Sequence, residues 1–237
     1  MEKLNKFLET YSFQCSKEQL EQFQTFYQLL IEWNEKMNLT AITEKEEVIV
    51  KHFFDSITPS IFIPFTDQNI IDIGAGAGFP SIPLKICFPD LKLTLLDSLN
   101  KRITFLQTVS QELGFKNMNF IHGRAEDYGQ NKMHREKYDY AIARAVARLN
   151  VLAELTLPFV KVSGKMIALK GEPKQTEQEI IDSKKAIEQL GGKLSQTKTL
   201  ELPNELGSRI IVVLDKKNKT PNQFPRKAGT PNKKPLA

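Results

Sequence analysis

Apolar residues recur at helical spacing through the first 58 residues, and short apolar runs separated by polar turns follow from residue 69 onward. Leu20, Phe23, Phe26 and Leu30 illustrate the first pattern, which predicts amphipathic helices with a buried, phenylalanine-rich stripe. In the second part, apolar runs alternate with longer helical patterns, and this alternation is typical of an α/β fold with a mainly parallel sheet. We therefore divide the chain into a helical extension (1–58), a sheet domain (59–215) and a tail (216–237).

Capping signals give the expected boundaries of the N-terminal helices. Ser16 and Gln19 form a capping box, and Thr43 with Glu46 repeats that pattern before a second apolar stripe. Thr58-Pro59 predicts the end of this second helix, because a residue before proline avoids the helical region.

The sheet domain contains seven predicted strands, at 70–73, 91–96, 118–122, 138–143, 165–169, 193–201 and 209–214. Helices are predicted at 81–88, 98–113, 149–160 and 176–190, with Ser98 capping the second of them. A short loop with proline and glycine joins the last two strands, so they can pair as an antiparallel hairpin at the sheet edge. The expected fold is a Rossmann-like, mainly parallel seven-stranded sheet with this edge hairpin and the helical extension.

The first strand is followed by the segment DIGAGAGFP, at the sheet end where ligands bind in open α/β folds. A triphosphate-binding loop requires a lysine directly after its last glycine, and none stands here. A dinucleotide site requires Gly-x-Gly-x-x-Gly, whereas Gly74, Gly76 and Gly78 are spaced evenly. Phe79-Pro80 also replaces the third glycine with a bulky ring and removes an N–H that a phosphate could use. Both kinds of phosphate site are therefore disfavoured.

The pattern Asp-x-Gly-x-Gly-x-Gly is typical of S-adenosylmethionine sites in class I methyltransferases. This cofactor carries an ammonium and no phosphate, so Asp72 can attract the ammonium while the glycines let the backbone pass close to the ligand. Asp97 ends the second strand, where its carboxylate can accept both ribose hydroxyls. Glu126 and Asp127 follow the third strand, where a backbone N–H and an acidic acceptor can meet the adenine edge. Each carboxylate alone fits a helix cap equally well, and their coincidence at three strand ends favours the cofactor.

The segment after the fourth strand bears on the methyl acceptor. It contains Arg144 and Arg148, with neither the Asn-Pro-Pro-Tyr type of motif common in nucleobase aminomethyltransferases nor a cysteine nucleophile. Cys87 falls in the helix after the glycine loop, where we expect it to be buried. An acceptor with a free lone pair needs no general base, and ring nitrogen 7 of guanine is such an acceptor. Arg144 and Arg148 are then candidate positioning residues. An ion pair of Arg144 with a nearby carboxylate is an equal alternative.

Charge and cysteine content indicate the cellular compartment and the kind of partner. The net charge of +5 resides in the tail, which has seven basic and no acidic residues. A flexible basic tail fits a polyanionic partner, and a purely solubilising role is the alternative. Two cysteines without metal-ligand spacing indicate a reducing compartment and no metal site. No stretch is typical of a signal peptide or a membrane span, so we expect a cytoplasmic protein.

The sequence resembles the glucose-inhibited division protein B family, the bacterial 16S rRNA guanine-7 methyltransferases, over nearly its whole length. The matching motifs are Trp33-Asn34-x-x-x-Asn38-Leu39-Thr40, His52-Phe53-x-Asp55-Ser56, the glycine loop with its Phe-Pro, Leu96-Asp97-Ser98-x-x-Lys101-Arg102, Arg124-Ala125-Glu126, Ala143-Arg144-Ala145, Ala168-Leu169-Lys170-Gly171 and the proline-rich tail from Thr220. The resemblance implies cofactor contacts at Gly74, Phe79, Ala125, Glu126 and Arg144. It also implies methylation of guanine N7 in small-subunit rRNA, near the decoding region of a ribosomal particle.

A cationic rim for RNA phosphates follows as a hypothesis. Its candidates are Lys101, Arg102, Arg148, Lys170, Arg209, Arg226 and Lys227. We expect a monomer that binds 16S rRNA or the small ribosomal subunit and neither DNA nor membranes. A methyltransferase with another substrate, and a non-catalytic ribosome-assembly factor that binds S-adenosylmethionine, are the alternatives. Truncation of the tail is expected to weaken RNA binding and to spare cofactor affinity.

Overall fold

The N-terminal helices pack against the sheet. The computed structural model describes residues 1–144, 146–171 and 173–237. The first helices are α1 (Glu2–Glu9), α2 (Lys17–Met37) and α3 (Lys45–Val48), and a π-helical turn (Ile49–Phe54) and α4 (Asp55–Ile57) continue α3 without a break. Phe23, Phe26 and Phe53 are fully buried in one core with sheet residues, which confirms the predicted buried stripe. Ser16 and Gln19 form the predicted capping box of α2.

A single sheet forms the centre of the described residues, with the strand order β3-β2-β1-β4-β5-β7-β6. Its strands are β1 (Asn69–Ile73), β2 (Lys92–Asp97), β3 (Met118–His122), β4 (Tyr138–Arg144), β5 (Val160–Lys170), β6 (Gly192–Glu201) and β7 (Ser208–Lys216). Strands β1 to β5 are parallel, while β7 runs antiparallel to both β5 and β6. The predicted fold is confirmed, including the edge hairpin.

Helices cover both faces of the sheet. They are α5 (Ser81–Cys87), α6 (Asn100–Glu112), α7 (Ala125–Gln130), α8 (Leu149–Thr156), α9 (Pro173–Gln189) and α10 (Thr230–Lys233). The N-terminal helices, α5 and α6 share one apolar core with the sheet, and α8 shares a second core on the other face. Cys87 is buried in α5, as expected.

Several predicted boundaries are wrong for local reasons. Leu99, not Ser98, precedes α6, and no side chain caps that helix, because leucine has no side-chain acceptor. The Leu99 N–H donates to the Asp97 carboxylate at 2.9 Å. Glu44 replaces Thr43 as the cap of α3. The helix predicted to reach residue 160 ends at Thr156 and continues as a 3₁₀ turn that contains a proline. The short helices α7 and α10 were not predicted.

The C-terminal tail is packed on the body, which contradicts the expectation of a flexible segment. Lys216 is fully buried, and its Nζ donates to the Leu157 carbonyl and to the Thr220 hydroxyl, both at 2.5 Å. Arg135 donates to four carbonyl oxygens, three of them in the tail. The tail composition indicates solvation, but its partners lie about 60 to 100 residues away in the sequence, where a composition argument does not find them.

Candidate functional site

A cavity of about 490 Å³ opens at the carboxyl ends of β1, β2 and β4. Parallel register brings these ends together, since Ile73 pairs with Leu96, and Asp72 pairs with Ile142 two residues before Arg144. The order of the sheet reverses between β1 and β4, which is the position where α/β sheets bind ligands. The volume is in the range of small-molecule sites.

The glycine loop forms the floor of this cavity. The N–H groups of Gly74 and Ala75 donate to the Leu96 carbonyl, at 2.8 and 3.1 Å. Gly78 has a φ of +87°, and a Cβ there would lie 2.5 Å from a side-chain carbon of Ile82. Only glycine fits this combination of left-handed backbone and close packing.

Asp97 stands on the cavity wall at the end of β2 and is held in place by backbone donors. Its Oδ2 accepts from the Gly76 N–H at 2.9 Å, and its Oδ1 accepts from the Leu99 N–H at 2.9 Å. Arg102 Nη1 lies 3.5 Å from Oδ2. The carboxylate therefore lines the cavity in a fixed orientation, with the glycine loop attached to it.

Asp72 lies beneath the loop and is fully buried. Ser81 donates to its Oδ2 at 2.6 Å, whereas its Oδ1 has no hydrogen-bond partner. Burial raises the pKa of this carboxyl to about 7, and Ser81 and Arg144 act against that rise. A buried carboxylate oxygen without a donor is costly unless a ligand supplies one. Asp72 does not itself line the cavity but lies below the glycine loop that does, so its free oxygen adjoins the site where we expect the cofactor ammonium.

Arg144 is the centre of a buried ion cluster at the end of β4. Its Nη1 donates to the Lys51 carbonyl and to Asp55 Oδ2, both at 3.0 Å, and its guanidinium lies 4.8 Å from the centre of the Phe79 ring. Arg209 Nε approaches the other oxygen of Asp55 at 3.1 Å. Burial lowers the pKa of Arg144, and Asp55 opposes this effect. The partner of Arg144 is thus a residue of the helical extension and not a strand-end carboxylate.

His52 is a site residue that the sequence analysis did not assign. Its ring stacks on Phe79 with centroids 4.5 Å apart, and its Nε2 lies 2.8 Å from the Thr40 hydroxyl. Burial lowers the pKa of His52 to about 3, with Arg144 adding to the effect, so the ring is neutral at physiological pH. Thr40 and His52 both line the cavity, and the π-helical turn that carries His52 is of a kind often found at functional sites.

The far end of the cavity lies beyond Asp97, at the loop after β3. Ala125 and Glu126 begin α7 and line the cavity there. Glu126 Oε1 accepts from the Gly229 N–H at 2.8 Å, and Asn232 of α10 also lines the cavity. The two tail residues were not predicted. No local signal indicates them, because they lie about 100 residues from the strand ends.

Known proteins match this chain over most of its length. The family model described as GidB, rRNA small subunit methyltransferase G, matches residues 19–206. The chain belongs to the GidB family. Ribosomal RNA small subunit methyltransferase G of Brevibacillus brevis (strain 47) is 58% identical over 219 residues, 92% of this chain and 91% of that one. The protein of the same name from Streptococcus pyogenes serotype M2 is 54% identical over 97% of this chain and 96% of its own length.

Membership of the GidB family confirms the predicted enzyme class, an S-adenosylmethionine-dependent methyltransferase. The fold also resembles the crystal structure of M. jannaschii TYW2 in complex with AdoMet, with a TM-score of 0.53 and 18% identity over 68% of this chain and 74% of that one. This likeness confirms the class I methyltransferase fold. None of the helices in the described residues is long and apolar enough to cross a membrane.

The cationic residues predicted to contact RNA fall into two groups in this GidB protein. Lys101, Arg148 and Lys227 are exposed. The other four form ion pairs with carboxylates. Their N···O distances are 3.5 Å for Arg102 with Asp97, 2.7 Å for Lys170 with Glu179, 3.1 Å for Arg209 with Asp55 and 2.6 Å for Arg226 with Glu154. Arg124, which was not among the candidates, is exposed and lines the cavity. Ala145, between Arg144 and the rest of its segment, lies outside the described residues.

Proposed function

We propose that this GidB protein transfers a methyl group to ring nitrogen 7 of a guanine in 16S rRNA, near the decoding region of the small ribosomal subunit. We further propose that it acts in the cytoplasm as a monomer. The observation that carries the acceptor assignment is the state of the titratable groups around the cavity. Among the described residues that line the cavity, His52 has a pKa far below neutrality, and Asp97 and Glu126 accept backbone N–H groups. Asp72, with a pKa of about 7, does not line the cavity, and we assign its free oxygen to the cofactor ammonium.

Three groups that line the cavity could in principle accept a proton: His52, Asp97 and Glu126. His52 has a pKa of about 3 and is a poor proton acceptor at neutral pH. Asp97 already accepts two backbone N–H groups, and Glu126 accepts one. An amine or hydroxyl acceptor loses a proton on methylation, whereas guanine N7 offers a lone pair and loses none. The titratable groups that line the cavity therefore favour guanine N7 as the methyl acceptor.

The described residues also fit the cofactor. S-adenosylmethionine supplies, when bound, a methyl group on a positively charged sulfur. Asp72 offers its unpartnered Oδ1 to the ammonium, and Asp97 offers a fixed carboxylate to the ribose. Gly74 and Gly76, with φ values of +74° and +58°, line the floor and add no side chain to it, while Gly78, with a φ of +87°, lets the loop pack against Ile82. Ala125 and Glu126 meet the adenine end.

Arg144 and Phe79 form the wall nearest the acceptor in this proposal. The ring of Phe79 packs against both His52 and the Arg144 guanidinium, at 4.5 and 4.8 Å, and Arg144 Nη2 also lies 3.3 Å from His52 Nδ1. Asp55 and the Lys51 carbonyl fix the guanidinium, so that it presents a stable positive edge to the carbonyl oxygen of a guanine or to a phosphate. Arg148 is a second candidate for a phosphate contact.

The curated relatives are named for action on small-subunit ribosomal RNA, which supports the same substrate here. Exposed cations supply the electrostatic attraction: Arg124 at the cavity, Arg148 beside α8, and Lys227 in the tail.

Nucleoside analysis tests the proposal. The protein is incubated with tritiated S-adenosylmethionine and small subunits that lack the modification, and the hydrolysed nucleosides are separated. We expect label in 7-methylguanosine and in no other nucleoside. Naked 16S rRNA, large subunits and duplex DNA run in parallel identify the substrate. Label in another nucleoside would exclude the N7 assignment, and cofactor binding without any transfer would favour the assembly factor.

A matched pair of variants distinguishes a specific loss of cofactor binding from a general loss of the folded protein. Asp97→Asn removes the charge that holds Gly76 and faces the ribose, and we expect loss of cofactor binding and of labelling. Asp90→Asn makes the same chemical change at an exposed position and is expected to leave both unchanged.

A further inference from the structure

The C-terminal tail reaches the cofactor cavity. Asn232 lines it from α10, on the side where Glu126 and Arg124 lie. The side chain of Asn232 is exposed to solvent, so its amide group has room to bind a ligand. The strands β1, β2 and β3 are neighbours in that order, so Asp72, Asp97 and Glu126 follow one another along this edge of the sheet.

A buried ion pair fixes this part of the tail. Arg226 Nε and Nη2 donate to the two oxygens of Glu154, at 2.8 and 2.6 Å, and the Arg226 backbone N–H donates to Oε1 at 2.9 Å. The Glu154 side chain is 1% exposed. A bidentate pair with a third donor on a buried carboxylate holds the chain in one position.

A second contact joins the tail directly to a site residue. The Gly229 N–H donates to Glu126 Oε1 at 2.8 Å, with Gly229 at a φ of +80°. The residue that follows begins α10, and Asn232 lies in that helix. One carboxylate oxygen of Glu126 is therefore oriented by the tail.

We propose that the tail completes the cofactor site, with Asn232 binding the adenine edge and Gly229 orienting Glu126 toward the same end. This proposal rests on the proposed function above, since it assigns part of the cofactor site. The adenine edge presents an N–H₂ donor beside a ring-nitrogen acceptor, and an asparagine amide presents the complementary acceptor and donor. Asp97 lies at the end of β2 and Glu126 after β3, so the adenine end lies on the side of the tail.

The proposal reverses one expectation from the sequence. A free basic tail serves RNA alone, and its removal spares cofactor affinity. A tail that forms one wall of the cavity links RNA binding with cofactor binding. Displacement of such a tail weakens cofactor binding even in the absence of RNA.

Three full-length variants test the assignment. Asn232→Ala removes only an exposed amide. The double variant Arg226→Met with Glu154→Gln releases the anchor without leaving a buried charge unpaired. Asn222→Ala is the matched control, because it makes the same change at another exposed position of the tail. Dissociation constants for S-adenosylhomocysteine and S-inosylhomocysteine are measured by calorimetry without RNA.

We expect Asn232→Ala to bind S-adenosylhomocysteine about three- to tenfold more weakly, the value of one or two neutral hydrogen bonds. The preference for the adenine over the inosine ligand falls by the same factor, and Asn222→Ala retains both the affinity and the preference. The double variant loses at least as much affinity. Saturating ligand is also expected to protect wild-type Lys227 and Lys233 from trypsin, and to protect them less in the double variant.

Wild-type affinity and wild-type base preference in Asn232→Ala would overturn the assignment, whatever the double variant does. Failure of the unmodified protein to bind S-adenosylhomocysteine would refute the proposed function itself, so the two failures are distinguishable. If the double variant does not fold, Asn232→Ala and the tryptic protection of the wild type still decide the matter.

Discussion

Replacement of Asp72 by asparagine is expected to change stability and cofactor affinity in opposite directions. Burial raises the pKa of this carboxyl from 3.8 to about 7 in the folded protein. The folded state therefore binds the proton more tightly than the unfolded state does. The stability that Asp72 contributes is fully present below about pH 4 and is lost as the pH rises through about 7.

The size of the effect follows from the shift. A rise of about three pKa units, at about 1.4 kcal/mol each, corresponds to about 4 kcal/mol. We expect the free energy of unfolding of the wild type, minus that of Asp72→Asn, to fall between about pH 4 and about pH 7 and to be constant above that range. An amide keeps an oxygen for the Ser81 hydroxyl and does not ionise.

Urea unfolding followed by the fluorescence of Trp33, the sole tryptophan, measures this difference at several pH values. Asp67→Asn, at an exposed position, serves as the control. In parallel, Asp72→Asn should weaken S-adenosylmethionine binding by about 1–3 kcal/mol. It should leave the binding of methylthioadenosine, which lacks the ammonium, unchanged. A pH-independent stability difference would refute the burial argument, and equal loss for both ligands would refute the ammonium contact.

Three further variants test the wall of the cavity and its floor. Asp55→Asn should destabilise the fold by about 3–5 kcal/mol in urea, since it removes the buried charge that pairs with Arg144 and Arg209. Glu32→Gln, at an exposed ion pair, should cost at most about 0.5 kcal/mol, and similar losses for the two variants would contradict a buried carboxylate at the centre of the cluster. The lowered pKa of His52 contributes stability above about pH 6.5 that is lost as the pH falls toward 3, so His52→Gln should flatten this acid decline, and parallel declines would count against it. Gly78→Ala should lower the melting temperature more than Gly114→Ala does, because both have positive φ but only Gly78 lacks space for a Cβ; an equal effect would contradict the close packing.

The strands were predictable because each is a short apolar run between turn residues. The observed β3 agrees with the prediction to the residue, and β1, β2, β4 and β6 agree within one residue at each end. The clear failure is β5, which begins at Val160 and not at 165. Its first part contains a positive φ at Ser163 and a register shift against Tyr138, so no regular alternation marks it.

The part of the candidate site that lies at the strand ends was predictable for a related reason. Asp72, the glycines and Asp97 adjoin strand ends, and parallel strands place their carboxyl ends at one edge. The partners of Arg144 and Glu126 were not predictable in this way. Asp55 and Gly229 lie 89 and 103 residues from them, and each looks like an ordinary surface or turn residue in its local sequence.

These contacts indicate that the sheet, the N-terminal extension and the C-terminal tail contribute different parts of the site. In the proposed assignment, the strand ends supply a cofactor surface of a kind that many α/β enzymes can build, and such a surface alone does not select an acceptor. The helical extension adds Thr40 and His52 beside Phe79 and fixes Arg144 through Asp55. Because residues of the extension hold Arg144 and pack on Phe79 at the proposed acceptor wall, substitutions in the extension should alter transfer more than cofactor affinity. The tail acts at the opposite end, so changes there should do the reverse.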